Sequence, residues 1–323
     1  MDENPWGVPI EFNAYNDFDA FSRNVYYING RMLLKDPERQ AWANSHIELC
    51  GLHLQIGTLG SGSIIEGKSS SDGYLVYVPL SKFRQHVANG TVLKDNSILI
   101  LEPGSDFCLS VRGPHEGCLI YVPKQKLRRL SNHRLPSTNG GQPGCRIIPV
   151  TRKLAGEVRS FIHETESAAS ASSKFEFSQE AKNSAAIAVR LVSAIILAGQ
   201  CTDFENDGRP RISRQEIIHR CKELLEERGV RHIKVGEMAS RAEVSERTLQ
   251  TAFKEYFGVG PIRYLQLRQL RQINIALQAA QPNGNSVAEI LLRYGEWEFG
   301  RFAKRYRNLF GELPSQTLQR QRQ

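Results

Sequence analysis

Two helical segments near the C-terminus carry side chains of the kind that bind DNA. In the first, residues 235–258 (VGEMASRAEVSERTLQTAFKEYFG), Leu249 and Phe253 are spaced as the inner face of an amphipathic helix. The outward positions of that helix are then Arg247, Gln250, Thr251 and Lys254. Arginine pairs with guanine and glutamine with adenine in the major groove, whereas lysine suits phosphate. Ordinary solvated helix faces hold the same residue types, so one such helix leaves the function open.

The surrounding residues predict two short helices joined by a tight turn. Met238 and Ala239 lie on the inner face of the first helix, and residues 242–244 form the turn. Ser245 is a suitable N-cap for the second helix. This layout is the helix-turn-helix pattern. Ser245 and Thr248 therefore join the candidate DNA-binding residues.

A second copy of the pattern follows at a constant offset. Five positions recur 53 residues later: Leu249, Phe253, Phe257, Gly258 and Pro261 correspond to Phe302, Tyr306, Phe310, Gly311 and Pro314. The predicted outward positions of the second copy include Arg301, Lys304, Arg305 and Asn308. Because the whole unit is repeated, DNA binding is favoured over a solvated helix face.

Residues 261–280 predict one helix between the two copies. Pro261 suits its first turn, and the sequence QPNGN at 281–285 ends it. A helix of this length spans about 30 Å, and successive major-groove faces on one side of DNA lie roughly 34 Å apart. The spacer could thus present two recognition helices to adjacent groove segments.

The charge distribution agrees with a nucleic-acid partner. Residues 211–323 hold 20 of the 42 Lys and Arg residues but only 12 of the 34 Asp and Glu residues, a net charge of +8 that equals that of the whole chain. A positive excess confined to one region is typical of a polyanion partner. A basic face without a partner stays open as an alternative.

The first half of the chain predicts β-structure. Short runs rich in β-branched and aromatic residues, bounded by Gly, Pro and Ser, occupy residues 47–60, 73–80, 97–104, 107–113 and 118–123. Such spacing favours a sandwich or a barrel. We therefore expect an α+β protein with a β-rich domain over 1–148, a helical linker over 149–210 and an all-α domain over 211–323.

The middle of the chain predicts a buried or dimer-forming helix over residues 180–200. Its apolar core, residues 185–199, contains Arg190 and is shorter than the roughly 20 residues that span a bilayer. The polar stretch at 201–211 is the expected domain boundary. The first residues, MDENPWGVP, lack a signal-peptide pattern, and the six cysteines include no C-x-x-C pair, so we expect a cytoplasmic protein without a membrane partner.

The C-terminal region resembles the DNA-binding domain of the AraC/XylS family of bacterial transcription regulators. The matching residues include Ala239, Ser245, Leu249, Phe253, Gly258, Pro261, Tyr264 and Leu265, and then Ile290, Gly295, Phe302, Tyr306, Phe310, Gly311 and Pro314. The segments SERTLQ and GRFAKRYRNLFGELPSQTL are most similar to the ethanolamine-utilisation regulators of that family. The resemblance covers about a third of the chain and departs from the family pattern at Gln269, Ile273, Asn274 and Glu296.

The resemblance implies roles for individual residues. Arg247, Gln250 and Thr251 match base-contacting positions, and Phe299, Arg301 and Lys304 match the contact face of the second recognition helix. It also implies an N-terminal domain, often a cupin-like β-barrel, that binds a small-molecule effector and forms a homodimer. An activator of this family would act on promoter DNA, with RNA polymerase as a further partner.

Metal or cofactor binding is not expected. Cupins can hold metals, but His46, His53, His86 and His115 share no H-x-H or H-x-x-x-H spacing. The strands at 74–77 and 107–111 could line an effector pocket or form plain core.

Two other classes of protein stay open beside a ligand-responsive regulator. One is an enzyme, for example a DNA-repair protein, that carries a DNA-binding tail, although the chain has no Walker or G-x-S-x-G motif. The other is an architectural protein that binds DNA without sequence preference.

Overall fold

The protein is described by a computed structural model that covers residues 10–37, 41–49, 51–81, 85–130, 144–171, 213–229, 233–280 and 284–320, with single positions between 183 and 196. Within these residues the N-terminal part is mostly β and the C-terminal part is helical. The predicted α+β class is confirmed at this level. The predicted linker at 201–211 lies outside the described residues.

The N-terminal part forms its strands in antiparallel ladders. The described strands are β1 (Ile10–Tyr15), β2 (Ile28–Leu34), β3 (Trp42–Leu49), β4 (Leu52–Leu59), β5 (Ser63–Ser69), β6 (Gly73–Pro79), β7 (His86–Ala88), β8 (Thr91–Leu93), β9 (Ser97–Leu101), β10 (Asp106–Val111), β11 (His115–Pro123) and β12 (Cys145–Pro149). Three helices accompany them: α1 (Phe18–Ser22), α2 (Lys124–Leu130) and α3 (Arg152–Ala171).

The described strands form two sheets that do not close into a barrel. Seven strands make the larger sheet in the order β1-β3-β4-β11-β6-β9-β12, and five make the smaller sheet in the order β2-β5-β10-β7-β8. Each sheet keeps two edge strands, and Pro149 of edge strand β12 has no N–H for a further ladder. The expected barrel is therefore wrong, since open sheets take its place.

Residues 47–60, predicted as one β run, are two strands. The chain reverses at Gly51, whose φ of +77° is a left-handed conformation that favours glycine. The reversal pairs Ile47 with Leu54 and His46 with Gln55 in adjacent strands. A strand at 145–149 was not predicted.

Strand β6 separates two apolar clusters because successive side chains point to opposite faces of a sheet. Val76 packs in a cluster with Val158 and Ile162 of helix α3. Leu75 and Tyr77 pack in a second cluster with residues of β10. The larger sheet is thus covered by helix α3 on one face and by the smaller sheet on the other.

The predicted helix over 180–200 lies almost entirely outside the described residues. Of its described positions, Val192 and Ile196 are buried in the cluster that contains helix α3. Its role in dimerisation stays a prediction.

The C-terminal part contains seven described helices. They are α4 (Arg214–Arg228), α5 (Val235–Arg241), α6 (Glu246–Phe257), α7 (Pro261–Ala279), α8 (Val287–Arg293), α9 (Phe299–Phe310) and α10 (Pro314–Arg320). The single helix predicted between the two repeats is confirmed as α7, with Pro261 at its first position. Across the described residues, no helix is both long enough and apolar enough to cross a membrane.

One apolar cluster joins the two parts of the molecule. It contains Phe18, Met32 and Ile64 from the β part together with Leu249 and Phe302 from the helices. The helices and the sheets therefore share buried surface.

Candidate nucleic-acid interface

The first helix-turn-helix unit consists of α5, a turn and α6. Met238, Ala239, Leu249, Phe253 and Phe257 are all buried, as their spacing predicts. Phe253 and Phe257 lie against one another and against Tyr264 of α7. The inner face of the recognition helix is thus fixed by aromatic packing.

The turns of the two units share a left-handed residue at equivalent positions. Glu243 has a φ of +56° in the first turn, and Gly295 has a φ of +74° in the second. Residues other than glycine, asparagine and aspartate rarely adopt this conformation, so Glu243 carries strain. The backbone of the tight turn requires it, because Val244 N–H bonds to the Ala239 carbonyl immediately afterwards.

The outer face of α6 is open to solvent over the predicted DNA-binding residues. Ser245, Arg247, Thr248, Gln250, Thr251 and Lys254 are all exposed. Two of the hydroxyls also stabilise the helix: Ser245 Oγ accepts from the Thr248 N–H at 3.1 Å, and Thr251 Oγ1 donates to the Arg247 carbonyl at 3.1 Å. The side chains of Arg247, Gln250 and Lys254 form no hydrogen bond or ion pair with any other described residue, so they can meet a ligand.

The second unit repeats this arrangement with α8 and α9. Ser286 caps α8 through a capping box with Glu289. Ile290 and Leu291 of α8 are buried, as are Phe302, Tyr306 and Phe310 of α9. The predicted inner faces of both units are therefore confirmed.

Two arginines of α9, Arg301 and Arg305, form ion pairs with nearby glutamates. Phe299, Arg301 and Lys304 are exposed. Arg301 Nη1 lies 2.7 Å from Glu298 Oε2. Arg305 is half-buried and donates to both carboxylate oxygens of Glu296, at 2.9 and 3.0 Å.

Glu296 explains one departure from the family pattern. Its side chain is only 8% exposed, and Arg305 neutralises it. A buried carboxylate needs such a partner. Arg305 therefore contributes to the structure of the second unit, whereas Arg301 and Lys304 project from it.

The other departures also have structural roles in α7. Gln269 donates to the Tyr294 carbonyl at 3.1 Å, Ile273 is fully buried, and Asn274 donates to the Tyr306 hydroxyl at 2.8 Å. Since Tyr294 and Tyr306 belong to the second unit, these contacts fix that unit on the connecting helix.

Sequence reasoning missed Trp297. It lies in the turn before α9 and is 77% exposed, next to Phe299 at 39%. The sequence did hold a signal for it. Trp297 does not fall on the helical spacing of the buried positions of α9, so a large aromatic side chain could be expected on the outer surface.

The histidines come together in pairs that their spacing did not reveal. Antiparallel pairing of β3 and β4 stacks the rings of His46 and His53 at 5.3 Å, and the rings of His86 and His115 lie 5.5 Å apart. Burial lowers the pKa of His53 to about 4 and that of His86 to about 3. Within the described residues, no group of three or more His, Cys, Asp or Glu side chains is placed to bind a metal.

Comparison with known proteins supports the C-terminal architecture. Residues 238–320 match the family model described as a helix-turn-helix domain. The C-terminal module is a helix-turn-helix domain. The matched residues of this domain run from Met238 in α5 to Arg320 at the end of α10 and so include both units.

Curated relatives of this domain include transcriptional activators. The XylDLEGF operon transcriptional activator 2 of Pseudomonas putida is 38% identical over 101 residues, which is 31% of this chain and 64% of that protein. The XylDLEGF operon transcriptional activator 1 of the same species is 40% identical over 105 residues, or 32% of each chain. The similarity thus spans less than two thirds of the length of these relatives.

Among solved structures, the AraC-like transcriptional activator CuxR is similar to 79% of this chain and to 90% of its own. The TM-score is 0.41 at 14% sequence identity.

Proposed function

We propose that this protein is a sequence-specific transcription regulator that binds double-stranded DNA through both helix-turn-helix units. The observation that carries the proposal is the pair of recognition helices, α6 and α9, each buried on one side and presenting exposed polar and basic side chains on the other. Arg247, Gln250 and Arg301 can pair with base edges, and Lys254 and Lys304 suit phosphates. The names of the curated relatives support activation of transcription. We place this activity in the cytoplasm.

The regulator would respond to a small molecule bound between the two sheets. The predicted pocket strands form apolar core there, since Leu75, Tyr77 and Leu109 pack together. A polar region lies on the same face of the larger sheet, where His46 is 2% exposed and neither of its ring nitrogens makes a well-aligned hydrogen bond among the described residues. A buried polar group without a partner is a natural contact for a ligand.

A thermal-shift screen with His46→Phe as the control tests this location. A compound that binds there raises the midpoint of the wild-type protein and leaves the variant unchanged. Equal shifts in both proteins would place the effector elsewhere.

The finer features of the family stay proposals. They are a homodimer formed through residues 180–200, a cupin-like relationship of the β domain, contact with RNA polymerase and the ethanolamine-regulator branch. The relatives named above regulate a different operon, so the branch has only the sequence segments in its favour.

Selection of bound fragments from genomic DNA tests the function. A regulator enriches a few sites with a shared sequence, typically bound 10³-fold or more tighter than random DNA. Uniform recovery of fragments would favour an architectural DNA-binding protein. The double variant Arg247→Ala, Arg301→Ala serves as the control, because it leaves the fold intact while removing one base-contacting arginine from each recognition helix.

A further inference from the structure

The helix that connects the two recognition units is held along one side by acidic residues of the β part. The Tyr264 hydroxyl of α7 donates to Glu66 Oε1 at 2.7 Å. Further along α7, Arg271 donates to one carboxylate oxygen of Asp19, and Gln278 donates to the other. Positions 264, 271 and 278 are seven residues apart, so they share one side of the helix over about 21 Å.

Both carboxylates are buried. Glu66 is 3% exposed and Asp19 is 6% exposed. Lys222 of α4 lies 3.1 Å from Glu66, and Arg31 lies 3.6 Å from it. Burial alone would raise the pKa of Glu66, but Lys222, Arg268 and Tyr264 outweigh it and lower the pKa below its ordinary value.

Such contacts fix geometry more than they add stability. A buried ion pair gains little over an apolar contact, because both charges lose their hydration. Its hydrogen bonds nevertheless allow only a narrow range of positions. Asp19 and Glu66 therefore restrain where α7 can lie on the β part.

Additional contacts reach the first helix-turn-helix unit and the last helix of the DNA-binding domain, α10. In the first unit, Ser110 Oγ donates to the Phe257 carbonyl at the end of α6 at 2.7 Å, and Lys35 Nζ lies 3.5 Å from the same oxygen. At the other end, Arg320 of α10 pairs with Asp17 at 2.9 Å. The β part therefore spans the whole length of the DNA-binding domain while the outer faces of α6 and α9 stay exposed.

We propose that Asp19 and Glu66 are positioning residues for DNA recognition: by holding α7 against the β part, they fix the distance and rotation between the two recognition helices. This inference rests on the proposed function. Its consequence concerns the spacing of the two half-sites. One added base pair moves a half-site by about 3.4 Å and rotates it by roughly 35°. A protein whose α7 is held by Asp19 and Glu66 cannot shift its recognition helices to match this change, whereas a protein that lacks one of these contacts can.

The test measures how strongly binding depends on half-site spacing. The full-length protein is titrated into three duplexes: the strongest sequence from the genomic selection, the same sequence with one base pair inserted between the half-sites, and a duplex that keeps only the half-site of the first unit. Asp19→Asn is compared with Glu157→Gln, which makes the same charge change on the exposed surface of α3.

We expect the insertion to weaken binding of the wild-type protein and of Glu157→Gln by about tenfold or more, the cost of one or more lost base contacts. In Asp19→Asn the loss should shrink to about threefold or less. Affinity for the single half-site should be equal in all three proteins, because that duplex engages only the first unit and does not depend on the spacing of the two helices. A substitution that simply destabilised the protein would weaken binding to this duplex too.

An insertion penalty that is the same in Asp19→Asn and in the wild-type protein would overturn the inference. Tighter binding of Asp19→Asn to the original duplex would also overturn the inference, because the contacts of Asp19 would then hold the recognition helices in a geometry that does not fit the DNA. Should Asp19→Asn fail to fold by near-ultraviolet circular dichroism, Tyr264→Phe replaces it, since that change removes only the hydroxyl that bonds Glu66. If the selection enriches no sequence, the proposed function itself fails.

Discussion

At the scale of single residues, the two recognition helices hold their arginines in different ways. Arg301 and Arg305 are paired with Glu298 and Glu296 on the same unit. Arg247 is exposed and forms no ion pair with any other described residue. Arg247 can therefore contact DNA without breaking an ion pair. Arg301 must first break its ion pair with Glu298 before it can bind a base or a phosphate.

The free arginine leads to a prediction about specificity. Arg247→Ala should weaken binding to the selected sequence by about 1–3 kcal/mol and relax selection at one base pair. Fluorescence anisotropy on the selected duplex and on random duplexes measures both effects. Arg152→Ala, which removes an exposed arginine from the start of α3, is the control for charge.

An equal loss on random DNA would show that Arg247 contacts only phosphate. The recognition helix would then position the protein without selecting a base.

Buried histidines predict acid sensitivity of the β part. Burial lowers the pKa of His53 from 6.5 to about 4 and that of His86 to about 3. As the pH falls below 6.5, the unfolded chain takes up these protons first, so the free energy of unfolding decreases, down to about pH 4 for His53 and about pH 3 for His86. Above pH 6.5 the contribution is complete.

Urea unfolding at several pH values between 7.5 and 4 measures this dependence, at about 1.4 kcal/mol per pH unit for each proton taken up. In His53→Phe the slope should be shallower, because the variant lacks one of these groups. Parallel curves for the two proteins would contradict the assignment to His53.

At the scale of elements, the backbone conformation decides whether a glycine-to-alanine substitution in the second unit raises or lowers the stability of the protein. Gly295→Ala should destabilise the protein by about 1 kcal/mol, because the turn needs a φ of +74° there. Gly300 lies within α9 with no neighbouring atom within 4 Å of its potential Cβ, so Gly300→Ala should stabilise by roughly 0.5–1 kcal/mol. Thermal unfolding of the two variants provides the comparison.

Changes of the same sign in both variants would mean that the turn does not hold its conformation in solution. The equivalent position in the first unit, Glu243, should then also tolerate any residue.

At the scale of the whole molecule, the shared apolar cluster ties the folding of the two parts together. A chain that lacks residues 212–323 should lose DNA binding, and its β part loses the helical half of that cluster. We expect this fragment to unfold at a lower temperature than the full chain and to bind a hydrophobic dye, because burial of that apolar surface is lost. A fragment with an unchanged midpoint would mean that the interface contributes little in solution.

Much of the DNA-binding domain could be predicted because its information is local. Leu249 and Phe253 are one helical turn apart, and the same spacing returns at Phe302 and Tyr306, so periodicity alone places the inner and outer faces. Pro261 likewise marks the start of α7 from its own conformational preference. The N-terminal strands were predicted less well, since a short apolar run does not indicate its partner or where it reverses.

The amino-acid sequence by itself determined that two helix-turn-helix units follow one another, which side chains each presents, and that the positive charge lies with them. Only the tertiary structure decided that the sheets stay open, that His46 meets His53, and that Arg305 turns to Glu296. It also brought Asp19 to Arg271, 252 residues away, and Glu66 to Tyr264, 198 residues away. The physical reason is that helical period and capping act between neighbours, whereas an ion pair between distant residues leaves no pattern in the sequence and exists only once the chain has folded.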